Sequence, residues 1–132
     1  LLALKRAREE GIPFLGLCLG FQLAVIEYAR STLNWTDAHS TEMNPDTKHP
    51  VVIFMPEGST TQLGGTMRLG GRTSKFVTPL ALSRDLYARF NLLSPNDTVH
   101  ERHRHRYEVN PELVSLLEAS GELRFVAKDV DT

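Results

Sequence analysis

Residues 12–18, Ile-Pro-Phe-Leu-Gly-Leu-Cys, are a continuous apolar run of strand length set between two segments of helical period. A strand with no polar face has to be covered on both sides, as parallel strands of α/β proteins are. Before it, residues 1–10 place Leu1, Leu4 and Ala7 on one helical face against Lys5, Arg6, Arg8, Glu9 and Glu10; Gly11 and Pro13 then stop the helix. After it, from about Leu19 to Leu33, Phe21, Ala24, Val25, Tyr28 and Ala29 recur at helical spacing. Helix, buried strand, tight turn and helix is an α/β order, and it predicts a three-layer domain with a mostly parallel sheet.

The later chain is read in the same way. "HPVVIFM" (49–55) predicts a strand and the glycine-rich "LGGTMRLGG" (63–71) a turn or short hairpin. "SKFVTPLAL" (74–82) reads as a strand interrupted by Pro79, hence an edge strand, and Ser83 as the cap of a short helix "RDLYARF". "TVHERHRHRYEV" (98–109) alternates as one strand. Asn110 as N-cap and Pro111 at the first helical position open "PELVSLLEAS", which Gly121 closes, and "ELRFVAKDV" is a last strand.

Composition narrows the function classes. A length of 132 residues suits one domain. Fifteen Lys and Arg against 16 Asp and Glu argue for neither nucleic acid nor an anionic membrane as partner. No apolar run approaches the roughly 20 residues of a membrane span, and the first ten residues lack the order of a signal peptide. The single cysteine excludes an internal disulfide and a multi-cysteine zinc site. A cytoplasmic domain is expected. The sequons at Asn34 and Asn96 are read as chance. A chain that starts at Leu1 and stops at Thr132 after a strand-like run reads as a piece of something longer, truncated at both ends.

That one cysteine stands in Gly16-Leu17-Cys18-Leu19-Gly20, the spacing of a nucleophile elbow between strand and helix. A side chain at the tip of such a turn projects above the sheet edge. The turn crowds neighbouring Cβ atoms, which favours glycine on both flanks. The following helix aims its first amides and positive dipole end at the sulfur, favouring a thiolate and offering donors to a developing oxyanion. The alternative, a small packed thiol, is the common fate of a free cysteine and stays open on these residues alone.

"GLCLGFQLAVIEYAR" (16–30) resembles the nucleophile segment of class I glutamine amidotransferases. "DAHSTEM" (37–43), "LGGTMRLGGR" (63–72) and "ERHRHRYEVNP" (101–111) follow in the family's order and are similar to the glutaminase domain of the CTP synthases in particular. The resemblance implies cysteine-dependent release of ammonia from L-glutamine, which a separate synthetase domain uses to aminate UTP to CTP with ATP and Mg. It implies no cofactor or metal within this stretch, and a homo-oligomer for the whole enzyme. It matches Cys18 to the nucleophile and Leu19, Gly20, Phe21 and Gln22 to the glutamine-binding run. Glu42 matches the contact to the substrate's α-ammonium and Arg106 the contact to its α-carboxylate. His39 stands where the family usually has asparagine, and Met43 where an aromatic residue is common. The family's catalytic His and Glu lie beyond Thr132, and its glycine-rich oxyanion loop and synthetase domain lie before Leu1. Rival readings are another class I amidotransferase, a related cysteine peptidase, or a non-catalytic regulatory domain of the same fold.

Other features have plainer readings. "RHRHR" (102–106) is bracketed by Glu101 and Glu108 and has little stacking surface for nucleic acid. His103 and His105 share one strand face but have no third ligand beside them in sequence, so a packed pair is the better reading than a metal site. "GGTMRLGG" lacks the ending of a phosphate loop. Trp35 and, on its residue type alone, Phe21 read as packing.

Overall fold

The computed structural model describes residues 1–55 and 67–130. Helix α1 (Leu2–Glu9) and helix α2 (Leu19–Ser31) fall where the helical period predicts them. They are joined by an ion pair between Arg8 and the buried Glu27, whose carboxylate also accepts the Ser31 hydroxyl at 2.7 Å.

Among the described residues two three-stranded sheets follow. In the first, β1 (His39–Ser40) runs parallel to β2 (Pro50–Phe54), and β5 (Tyr107–Val109) pairs antiparallel with β2 through Val52↔Val109 and Phe54↔Tyr107. Helix α2 lays Val25, Ile26, Tyr28 and Ala29 on this sheet, against Ala38, Val51, Val52 and Leu117. Leu117 comes from α4 (Val114–Glu118), reached through a single 3-10 turn (Pro111–Leu113). As expected, Asn110 caps that turn: its side-chain oxygen accepts from Glu112 N at 3.1 Å.

In the second sheet, β3 (Arg68–Phe76) lies between β4 (Thr98–His105) and β6 (Ala127–Asp129), antiparallel to both. Its core is Phe76, Ala81 and Val99. Helix α3 (Leu82–Arg89) contributes Tyr87, which packs on that cluster and bonds Glu101 through its hydroxyl, while Leu82, Leu86 and the following Phe90 face outward. Arg68 is buried and bonds Glu108 of β5 at 2.8 Å, with Asp129 of β6 at 4.0 Å, so one guanidinium ties the two sheets together.

Several expectations change. Residues 12–17 form no strand, and Leu15 and Leu17 are 81% and 75% exposed. An apolar run records what a segment can bury; a strand forms only where a second strand completes its ladder, and no described strand lies beside this one. Among the described residues parallel pairing is accordingly carried by β1 and β2, the other three pairings being antiparallel. Residues 68–71 of the glycine-rich run belong to β3; residues 63–66 lie outside the described residues. Strand β3 is central rather than at an edge, because it ends at Phe76 before Pro79 could break its ladder. Helix α3 starts one residue before Ser83, with Ala81 at the cap position and no side-chain cap bond. The alternating run 98–109 is two strands in two sheets, divided at Arg106. Among the described residues no helix is long and apolar enough to cross a membrane.

Candidate active site

Cys18 sits at the N-cap of α2 with φ 50° and ψ −109°, a backbone state that L-residues rarely adopt. Strain of this kind costs on the order of 1–3 kcal/mol and is held only where the surroundings enforce it. Here they do. A Cβ at Gly16 would come within 2.7 Å of Gly20 C, Phe21 N and Phe14 Cε1, so the turn closes tightly only over a glycine. The second flank differs from expectation: at Gly20 the nearest atom to an added Cβ is Phe14 Cζ at 4.0 Å. Crowding explains Gly16 and does not explain Gly20.

The elbow leaves Cys18 exposed, its thiol donating over 3.9 Å to the Arg104 carbonyl. A packed thiol would be buried, and this one is not. The N–H of Leu19 opens α2 and has no intrahelical acceptor.

Beside the sulfur lies an open cleft of about 250 Å³ lined by Cys18, Leu19, Gln22, Glu42, Met67, Arg104, His105, Arg106 and Tyr107. Five of the residues singled out in the sequence therefore converge: Cys18 and Leu19 from the elbow, Gln22 from the first turn of α2, Glu42 from the loop after β1, and Arg106 from the break between β4 and β5. Gln22 is buried and donates through Nε2 to Tyr107 O at 2.8 Å, leaving its carbonyl oxygen for a ligand. Arg106 stands at the break itself: its carbonyl accepts from Met55 N at 2.9 Å, after β2, and its side chain is exposed like those of Arg102 and Arg104 before it. Gly20 and Phe21 do not line the cleft; Phe21 packs edge-on against Phe125 with ring centroids 6.4 Å apart.

Sequence reading missed Met67, Arg104, His105 and Tyr107 as lining residues. The last three flank Arg106, and the signal that could have found them was the point where one long alternating run must change sheets. The His103 and His105 rings lie 5.2 Å apart, tilted by 50°. Among the described residues no group of three or more His, Cys, Asp or Glu is arranged to hold a metal ion.

The family described as glutamine amidotransferase class-I matches residues 1–131. The chain belongs to that family. Within it, this amidotransferase chain is 54% identical over 129 residues to CTP synthase 1 of Danio rerio, covering 98% of this chain and 21% of that protein. It is 50% identical over 129 residues to CTP synthase 1 of Homo sapiens, again 98% of this chain and 21% of the relative. The chain thus spans about a fifth (21%) of the length of the curated relatives it matches. Among solved structures, the Trypanosoma brucei CTPS glutaminase domain with bound acivicin superposes with a TM-score of 0.82 at 36% identity, over 95% of this chain and 44% of that one. The α/β fold expected from the sequence is therefore the class I amidotransferase fold.

Proposed function

We propose that this chain is the glutaminase part of a CTP synthase, releasing ammonia from L-glutamine through a cysteine thioester. The observation that carries the reading is the meeting of Cys18, Glu42 and Arg106 in one cleft. Glutamine is a zwitterion with an amide at its far end. A carboxylate for its ammonium and a guanidinium for its carboxylate hold the backbone end, and the amide carbon is left to the sulfur. The likeness to several CTP synthases supports the same choice over other amidotransferases and over cysteine peptidases.

In this reading the Cys18 thiolate attacks the amide carbon, and the Leu19 N–H receives part of the charge that develops on oxygen. Ammonia leaves with a proton, and water then hydrolyses the thioester to glutamate. The proton is moved by the His and Glu that the family resemblance assigns beyond Thr132. Gly20 and Phe21 lie outside the cleft, so their part in this reading is to build the turn that carries Cys18 and Leu19. The ammonia goes to a synthetase domain that aminates UTP with ATP and Mg, in a cytoplasmic homo-oligomer.

The test uses the natural full-length polypeptide and compares CTP formation from glutamine with that from added ammonia. Cys18→Ala is expected to abolish the first and spare the second. Arg106→Ala is expected to raise KM for glutamine and leave the ammonia reaction intact. Equal loss of both reactions in Arg106→Ala would make the arginine a structural residue and remove the reading.

A further inference from the structure

Residues 37–49 carry β1 and the loop that links it to β2, and Glu42 is the one residue of this span that lines the cleft. The ends of the loop are held by Asp37 in three ways. Its Oδ1 accepts from His49 Nδ1 at 2.5 Å, its Oδ2 accepts from Lys48 N at 2.9 Å, and its backbone carbonyl accepts from Thr47 Oγ1 at 2.6 Å. The His49 ring is fixed in turn by Trp35, stacked on it with centroids 4.9 Å apart and planes 14° from parallel. His39 N closes the same end by donating to His49 O at 3.2 Å.

Further up the loop, the fully buried Ser40 accepts from Glu42 N at 3.2 Å through Oγ, and from Met43 N at 3.1 Å and Asn44 N at 2.9 Å through its carbonyl. The bonds at the base and those under Glu42 make one connected set, so the position of Glu42 depends on the closure below it. Neither Asp37 nor His49 belongs to a hydrophobic cluster. The stack of His49 on Trp35 joins the base of the loop to the edge of the first core. His49 also holds the Asp37 carboxyl below the usual carboxylate range, chiefly through this hydrogen bond.

We infer that Asp37 and His49 are positioning residues for glutamine, clasping the loop that presents Glu42 to the substrate's α-ammonium. The inference rests on the proposed role of Glu42, and the test separates the two.

In the full-length polypeptide, Asp37→Ala raises KM for glutamine about tenfold, the scale of one weakened charge-assisted hydrogen bond. It leaves kcat with glutamine and the ammonia-dependent rate within about twofold, a split that a general loss of folding would not give. Asp37→Asn, which keeps an acceptor for Lys48 N, recovers part of the affinity, and His49→Gln gives the same split at smaller size should Asp37→Ala fold poorly. Combined with Glu42→Gln, Asp37→Ala adds less than its separate effect, because both act on one contact. A raised KM in Glu42→Gln with an unchanged KM in both Asp37→Ala and His49→Gln would overturn the clasp and leave the role of Glu42 standing. Full additivity of the two changes would overturn it as well. An unchanged KM in Glu42→Gln removes the role of Glu42 and the clasp with it.

Discussion

The two sheets bear on the same cleft and are built to different standards. The first is packed by α2 and α4 around eight buried side chains, among them Val25, Ile26, Val51, Val52 and Leu117. Among the described residues the second rests on three, Phe76, Ala81 and Val99, under a helix whose leucines face outward. The first supports the sulfur and Glu42; the second brings Arg104 and His105, and Arg106 stands at the joint. The difference teaches that the Cys18 sulfur is fixed to the thick half of the molecule. The basic wall of the cleft is fixed to the thin half, so its place depends on what couples the two.

That coupling is where the largest effect is expected. Arg68 is the buried link between β3, β5 and β6. Removing one partner of a buried pair leaves a charge uncompensated and costs about 3–5 kcal/mol. Arg68→Ala should lower stability by that amount in chemical denaturation, and hydrogen exchange in β3, β4 and β6 should rise before exchange in α2 does. Uniform acceleration in both halves would show that the sheets melt as one unit and that the contrast between them has no energetic meaning.

The contrast itself is sharpened by a pair of truncations. Ile26→Ala should cost about 2–5 kcal/mol, because the well-packed side around α2 cannot collapse onto the gap. Val99→Ala in the second sheet should cost less than half as much, the smaller cluster being both thinner and freer to close. Equal costs in urea titrations would mean that the two cores are equally tight.

A smaller effect, confined to the thick half, is set by pH. Burial alone would push the Glu27 carboxyl up, but the Arg8 guanidinium and the Ser31 hydroxyl outweigh it and hold it below the usual carboxylate range. A carboxyl depressed on folding contributes stability in full above its unfolded value, about 4.3, and loses it as pH falls through the lower folded value. The gap in Tm between the natural protein and Glu27→Gln should therefore be constant from about pH 7 to 5 and narrow below that. A gap that widens on acidification would reverse the assignment.

How much of this was legible in the sequence follows the same division. The elements that make their own case locally were readable: both N-terminal helices, β2, and the Asn110-Pro111 start. The elbow was readable too, since Gly16 meets a steric demand within five residues. What failed was non-local. The apolar run 12–17 announced burial, and burial needs a neighbour the run itself cannot specify. Strand β3 is central because β4 and β6 flank it, which nothing between residues 68 and 76 records. The break at Arg106 was hidden because alternation continues through it in the letters, while the backbone changes sheets. Four of the cleft residues, including Arg104 and His105, depend on that change or on the approach of Met67, and so went unseen.

Cys18 itself carries a last consequence, for sequence drift. At φ 50° and ψ −109° the residue that folds best is glycine, which visits such angles without penalty. Stability and chemistry thus vote for different letters at one codon. A population of variants screened only for resistance to heat should accumulate Cys18→Gly, and one screened for growth on glutamine as nitrogen donor should hold cysteine against that current. Under the proposed role of Cys18 the position works as a record of which demand a lineage has been under: a descendant that reads glycine there, with the rest of the elbow intact, has kept the architecture and given up the reaction.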